Sequence, residues 1–172
     1  MRLTKSGKTF GVELLVDDET LRAVGLVSAQ WGVLEIEFDG LLGILLRLPA
    51  TASIAPKQIP QAFDRRAKLF RDCAALALDD QPRLRDDLVG IINEATSARG
   101  QRDDVIHGHW HLGRKKGHLG PAVTVINRRP NFKARLKNMS ANQVEDVAPT
   151  ISQITAKFIW WRTINVQDPP PA

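Results

Sequence analysis

The chain has 172 residues, 43% hydrophobic and 25% charged, the balance of a folded domain rather than of a disordered chain. Its single cysteine, Cys73, excludes an internal disulfide framework and any zinc site built on two or more cysteines of one chain. The net charge of +5 is unevenly spread, because residues 99 to 137 hold ten Lys or Arg against only Asp103 and Asp104 while the remainder carries a net negative balance. That asymmetry favours one local polyanion contact over a generally basic surface.

Met1 to Lys8 is polar and basic, and the first apolar run, Val12 to Val16, is interrupted by Glu13 and followed by acids. No secretory pattern opens the sequence on this reading. The most apolar stretch, Leu41 to Leu48, contains Arg47 and falls far short of a bilayer span, so the expectation is a cytoplasmic protein with no membrane partner. Asp17 or Asp18 offers an N-cap for a long first helix over 18 to 48, with an apolar stripe of Val24, Val27, Trp31, Leu34, Phe38, Leu41, Leu45 and Leu48. Gly25, Gly32 and Gly43 project within about 20° of one another on the opposite face, with Gly40 about 60° away, which suggests a second packing surface for another helix.

A loop with Pro49, Pro56 and Pro60 leads to a second helix over about 60 to 78, striped by Phe63, Ala67, Phe70, Ala74 and Ala77, with Arg65, Arg66, Lys68, Arg71 and Asp72 mostly on its other faces. Pro82 opens a third helix whose buried face is Leu84, Leu88, Ile91, Ala95 and Ala98 and which Gly108 ends. Residues 109 to 133 change in kind: Val123-Thr124-Val125-Ile126 among Gly113, Gly117, Gly120, Pro121 and Pro130 predicts a small β-hairpin. Ser140 and Gln143 form a capping box for the last helix, which Pro149 kinks or splits and whose stripe runs from Val144 to Trp161. Residues 166 to 172, rich in proline, read as a flexible tail, leaving 1 to 165 as a single domain.

Continuing the third helix's stripe puts Arg102 eighteen residues, five turns, after Leu84, on the apolar face. A guanidinium aimed at a core needs an anion or a task. His107 follows five residues later, and Asp103 lies four before it. Arginine brings a permanent charge and a fork suited to phosphate, and histidine exchanges protons near neutral pH. Such a cluster suffices in principle for metal-free phosphodiester cleavage, and the plain alternative is a structural ion pair with an ordinary helix-end histidine.

Arg102-Asp103-Asp104-Val105-Ile106-His107-Gly108, with Trp110 close behind, resembles the RxxxxH signature of HEPN domains. The surrounding pattern is similar too: an all-α, four-helix bundle with a small β-hairpin insertion between the last two helices, spanning nearly the whole chain. The resemblance implies a homodimer with a shared cleft, RNA as the partner, and a metal-independent endoribonuclease of toxin-antitoxin or antiviral type, with an antitoxin protein as a further partner. On that basis His107 would be general base or acid for attack by the RNA 2′-hydroxyl, Arg102 would hold the phosphate, and Asp103 would orient one of them. No cofactor or metal enters this reading. On a straight helix Arg102 and His107 diverge by about 140°, so their convergence needs arginine's reach, a distorted helix end or a second subunit.

The candidate RNA contacts are Arg114, Lys115, Lys116, Arg128, Arg129, Lys133, Arg135 and Lys137. Two alternatives stay open: a non-catalytic HEPN-like interaction protein, and a metal-binding domain built on His107, His109, His111 and His118, since alternate residues of a strand share a face. Glu35 and Asp39, four apart, read as a structural ion pair facing Arg102 or the surface. Trp161 reads as core with Trp160 flanking it, Cys73 as a buried inert thiol, and no Gly-rich phosphate loop is present.

Overall fold

The computed structural model describes residues 2–6, 9–13, 17–115, 118–127 and 133–166, so the expected tail lies almost wholly outside the described residues. In chain order the elements are β1 (Arg2–Ser6), β2 (Thr9–Glu13), α1 (Asp18–Leu46), a 3-10 turn (Pro49–Thr51), α2 (Phe63–Ala77), α3 (Pro82–Ile106), β3 (His109–Lys115), β4 (His118–Asn127), β5 (Lys133–Asn138), α4 (Ala141–Glu145) and α5 (Val147–Asn165). Four main helices carry the fold, with the expected antiparallel β3–β4 hairpin set between α3 and the last helical segment. None of the described helices is long and apolar enough to cross a membrane.

The helix ends follow from local chemistry. Asp17 caps α1, its carboxylate accepting from the Thr20 backbone N–H at 2.7 Å, and that bond holds the Asp17 carboxyl below its usual range. At the other end α1 stops at Leu46, just ahead of Pro49, and the buried Thr51 hydroxyl donates to the Leu45 carbonyl at 2.7 Å. Helix α2 starts at Phe63, three residues later than the sequence suggests, because Ala62 is still extended after Pro60. Pro82 is the first residue of α3, as expected. The capping box at Ser140 forms on both sides. The last helix is indeed split: α4 ends at Glu145, whose carbonyl would otherwise be the partner of residue 149, and Pro149 has no N–H to offer it.

The chain forms two compact units. One comprises Gln30–Arg99 and Thr150–Ala172, hence the later part of α1, α2, most of α3 and most of α5. Its centre is aromatic: Phe38 lies 4.9 Å from both Phe63 and Phe70 and 5.7 Å from Phe158, ring centre to ring centre. Leu34, Leu41, Leu88, Ile92, Ala95, Ile151 and Trp161 fill the space around this cluster, and Trp160 is exposed, as the helical phase predicts. Cys73 is fully buried, and burial raises its thiol above the usual range.

Two features of this unit correct the sequence reading. Glu35 and Asp39 do form ion pairs, and the cation they share is Arg66 of α2. Arg66 is not an outer-face residue: it lies about 60° from Phe63 on the helical wheel, at the border of the stripe, and its side chain is only 11% exposed. There it reaches both carboxylates and lies 5.6 Å over the Phe63 ring. On the glycine face of α1, a Cβ at Gly32 or Gly43 would meet nothing within 4 Å among the described residues and one at Gly40 only reaches Arg162, which leaves the expected second packing surface open to another chain.

The other unit comprises Met1–Ala29 and Gly100–Pro149. Here the structure adds strands that the sequence reading did not contain. β1 and β2 form an antiparallel hairpin with Ser6 opposite Thr9, and β5 extends the hairpin to a three-stranded meander in the order β3-β4-β5. The β5 sequence Lys-Ala-Arg-Leu-Lys alternates charged and apolar residues with period two, a strand pattern that its density of charge obscures. Among the described residues, Ala23, Val27, Val105, Val123, Ala141, Val144, Val147 and Ala148 are this unit's buried apolar residues.

Desolvation raises the Asp39 carboxyl above its ordinary value; Arg66 pulls it down, and the neighbouring Glu35 adds to the rise. A carboxyl whose folded pKa exceeds its unfolded one contributes stability that is full below the unfolded value and is lost as pH rises through the folded one. Asp39→Asn, neutral at every pH, should therefore be at least as stable as the parent near pH 7, with the difference shrinking as pH falls toward about 4. Urea unfolding at the two pH values measures this, and a variant that is weaker near pH 7 but not at about pH 4 contradicts it.

Candidate functional site

The last two turns of α3 carry the cluster that the sequence singles out. Arg102 emerges from a largely buried position, its side chain 20% exposed, and its Nη1 donates to Asp103 Oδ1 at 2.8 Å. The same Nη1 lies 2.9 Å from His107 Nε2, and Asp103 Oδ1 lies 3.8 Å from that nitrogen. The three side chains proposed from sequence are therefore brought together within one chain.

Two local causes overcome the 140° divergence of a straight helix. The helix ends at Ile106, so His107 already belongs to the bend after it, although its N–H still reaches the Asp103 carbonyl at 3.0 Å. Arginine's length covers the rest. The imidazole is 64% exposed, open on the side away from the guanidinium.

A guanidinium only donates, so in this contact Nε2 takes the acceptor's role, which is that of a ring protonated at Nδ1. The arrangement unites a fixed cation, an imidazole and a carboxylate, and it sits at a helix C-terminus, where the partial negative charge of the helix favours the cation.

Residues beyond the predicted three hold this end of α3. Lys137 forms an ion pair with Asp104, and the Trp110 indole N–H donates to the Val105 carbonyl at 2.8 Å. Gly108 packs so closely on Val123 that a Cβ there would lie 1.9 Å from the valine methyl and 2.5 Å from the Asp104 carbonyl oxygen. Gly108 and Trp110 were visible in sequence as a helix stop and a following aromatic, but nothing local marks Val123 or Lys137 as their partners.

The predicted RNA contacts fare differently. Lys137 is engaged by Asp104. Lys116, Arg128 and Arg129 lie outside the described residues. Arg114 and Lys115 pair in register with Leu119 and His118 near one end of β4, whereas Lys133 and Arg135 pair with Asn127 and Val125 near the other. Those ends are about 25 Å apart at the rise of a strand, so the backbone does not gather the basic residues into one spot. Among the residues whose side chains are described, no group of three or more His, Cys, Asp or Glu is placed to hold a metal ion. His109 and His111 occupy alternate positions of β3, opposite Thr124 and Ala122.

No protein-family model, curated protein or solved structure matches this chain.

The tautomer is directly measurable. In nitrogen-15 spectra of the histidine rings, His107 should show an Nδ1-protonated neutral form, and Arg102→Met should move it toward the mixture of tautomers of a free imidazole. A parent ring already in that mixture contradicts the geometry.

Proposed function

We propose that the chain is a HEPN-like RNA-binding protein and a metal-independent endoribonuclease of toxin or defence type. The observation that carries this reading is the contact of Arg102 Nη1 with His107 Nε2 at 2.9 Å, with Asp103 beside both, at the end of the third helix of an all-α bundle. Phosphate oxygens of the RNA would replace His107 on the guanidinium. The freed Nε2 would take the proton of the 2′-hydroxyl as that oxygen attacks the adjacent phosphorus. A bond forms from the 2′-oxygen to phosphorus, the bond to the 5′-oxygen breaks, and the imidazolium returns its proton to that leaving oxygen. The products are a 2′,3′-cyclic phosphate and a 5′-hydroxyl. Arg102 would carry the charge that grows on the phosphoryl oxygens, and Asp103 would hold the imidazolium.

The reading includes a homodimer, supported by the uncovered α1 face on which Ile36 is 71% exposed between the glycines, and an antitoxin as regulator. It places the protein in the cytoplasm.

His107→Ala should abolish cleavage of single-stranded RNA with little change in thermal midpoint, since an exposed ring contributes little to a core. Cleavage by the parent should survive EDTA, leave cyclic phosphate ends and fail where the 2′-hydroxyl at the cut is replaced by hydrogen. Robust cleavage by His107→Ala, or an intact RNA pool after incubation with the parent, overturns the enzyme and leaves the non-catalytic interaction protein. RNA binding separates the basic segment from a solvated one: the slope of log affinity on log salt is about −0.7 for each single-strand phosphate neutralised. Replacing Arg128 and Arg129 by alanine should flatten it by about 1.4, and an unchanged slope removes them from the RNA path.

A further inference from the structure

One cross-strand row of the meander meets the end of α3 at three points. Trp110 of β3 stands opposite Val123 of β4, and Val123 stands opposite Lys137 of β5, so the three share one face of the sheet. Each of them touches the segment that carries His107. The Trp110 indole N–H binds the carbonyl of Val105, two residues before the histidine. Lys137 holds the carboxylate of Asp104, three residues before it. The buried Val123 lies against Gly108, one residue after it, at a distance that no side chain at 108 would permit.

We propose that this row is the positioning device of His107, with Trp110, Val123 and Lys137 as positioning residues that act on the imidazole through the backbone on either side of it. The argument starts from exposure. A ring with nearly two thirds of its surface in water gains little from packing, so its place is set by its own backbone and by the guanidinium that it meets. The helix holds that backbone only through the His107 N–H on the Asp103 carbonyl, because α3 ends one residue earlier. The further contacts on either side, at 104, 105 and 108, all come from a single row of the sheet. The indole donor also satisfies a carbonyl that the end of the helix leaves without an intrahelical partner.

The consequence for catalysis rests on the ribonuclease reading, whereas the geometry does not. In that reading the meander serves the base itself in addition to any basic residues it offers to RNA. A sub-ångström error in the base then lowers turnover without weakening RNA binding, because the phosphate is held by Arg102 and the basic segment.

The test uses Trp110→Phe, which keeps the ring and removes the N–H, and Lys137→Met with Lys137→Arg as its conservative partner. The readout is the nitrogen-15 signature of the His107 ring, together with the thermal midpoint. In Trp110→Phe and Lys137→Met the ring should move toward the tautomer mixture of a free imidazole while the midpoint falls by only about 2–4 °C. Lys137→Arg should restore the parent signature. In RNA cleavage Trp110→Phe should lose about ten- to a hundredfold in kcat with KM within about twofold of the parent. His107 signals that superimpose on the parent's in both disruptive variants overturn the proposal. The two readings fail separately: shifted ring signals in a protein that never cleaves RNA sustain the positioning row and remove the ribonuclease, while His107-dependent cleavage with unmoved ring signals does the reverse.

Discussion

An arginine side chain only 20% exposed near the end of a helix has to be met by acceptors, and two that meet Arg102 define the site. One is the carboxylate of the next residue, and the other is an imidazole just past the helix end. The carboxylate offsets the charge and fixes the fork, while the imidazole is held by a bond that a stronger acceptor, an oxyanion above all, displaces.

Arg66 shows the contrasting solution. Two carboxylates of α1, Glu35 and Asp39, close on it, so the local balance is negative and repels a phosphate. Burial first, and the neighbouring Glu35 after it, raise the Asp39 carboxyl there. Arg66 thus acts as a strut of the helical unit, joined by the Arg99–Asp64, Lys157–Glu94 and Arg162–Glu37 pairs that link its helices at the surface and contribute little each. Arg102 lies instead in the segment with the chain's whole positive excess, at a helix terminus of favourable sign. Residue type alone does not distinguish the two arginines; their surroundings do.

Much of the helical part is legible because its signals are local. Asp17, Pro82, the Ser140 box and Pro149 each act within one turn, and the elements start or break where these residues stand. The stripe of α1 is buried from Val27 to Leu45, though Leu48, past the helix end, is exposed. Helical phase alone puts Arg102 on the apolar face, and its side chain is 20% exposed. What stayed hidden depends on partners far along the chain. Arg66 looked like surface until α1 brought it two carboxylates from about thirty residues away. The ion pair of Lys137 with Asp104, 33 residues earlier, has no local signal in the sequence. β5 and the β1–β2 hairpin are short alternations rich in charge or glycine, and their pairing rather than their composition makes them strands. The convergence of Arg102 and His107 was posed in sequence as a geometric difficulty, and it is solved by a helix that stops one residue before the histidine.

The central claim is that an RNA phosphate takes the place of His107 on Arg102. The most direct measurement is a titration of the parent protein with single-stranded RNA whose 2′-hydroxyls are replaced by hydrogen, followed on the His107 ring nitrogens and, in parallel, by fluorescence anisotropy of the labelled strand. The account predicts that the Nε2 resonance leaves its Arg102-bound position with the same midpoint as the anisotropy curve. Full binding by anisotropy with the His107 signals unmoved would contradict it.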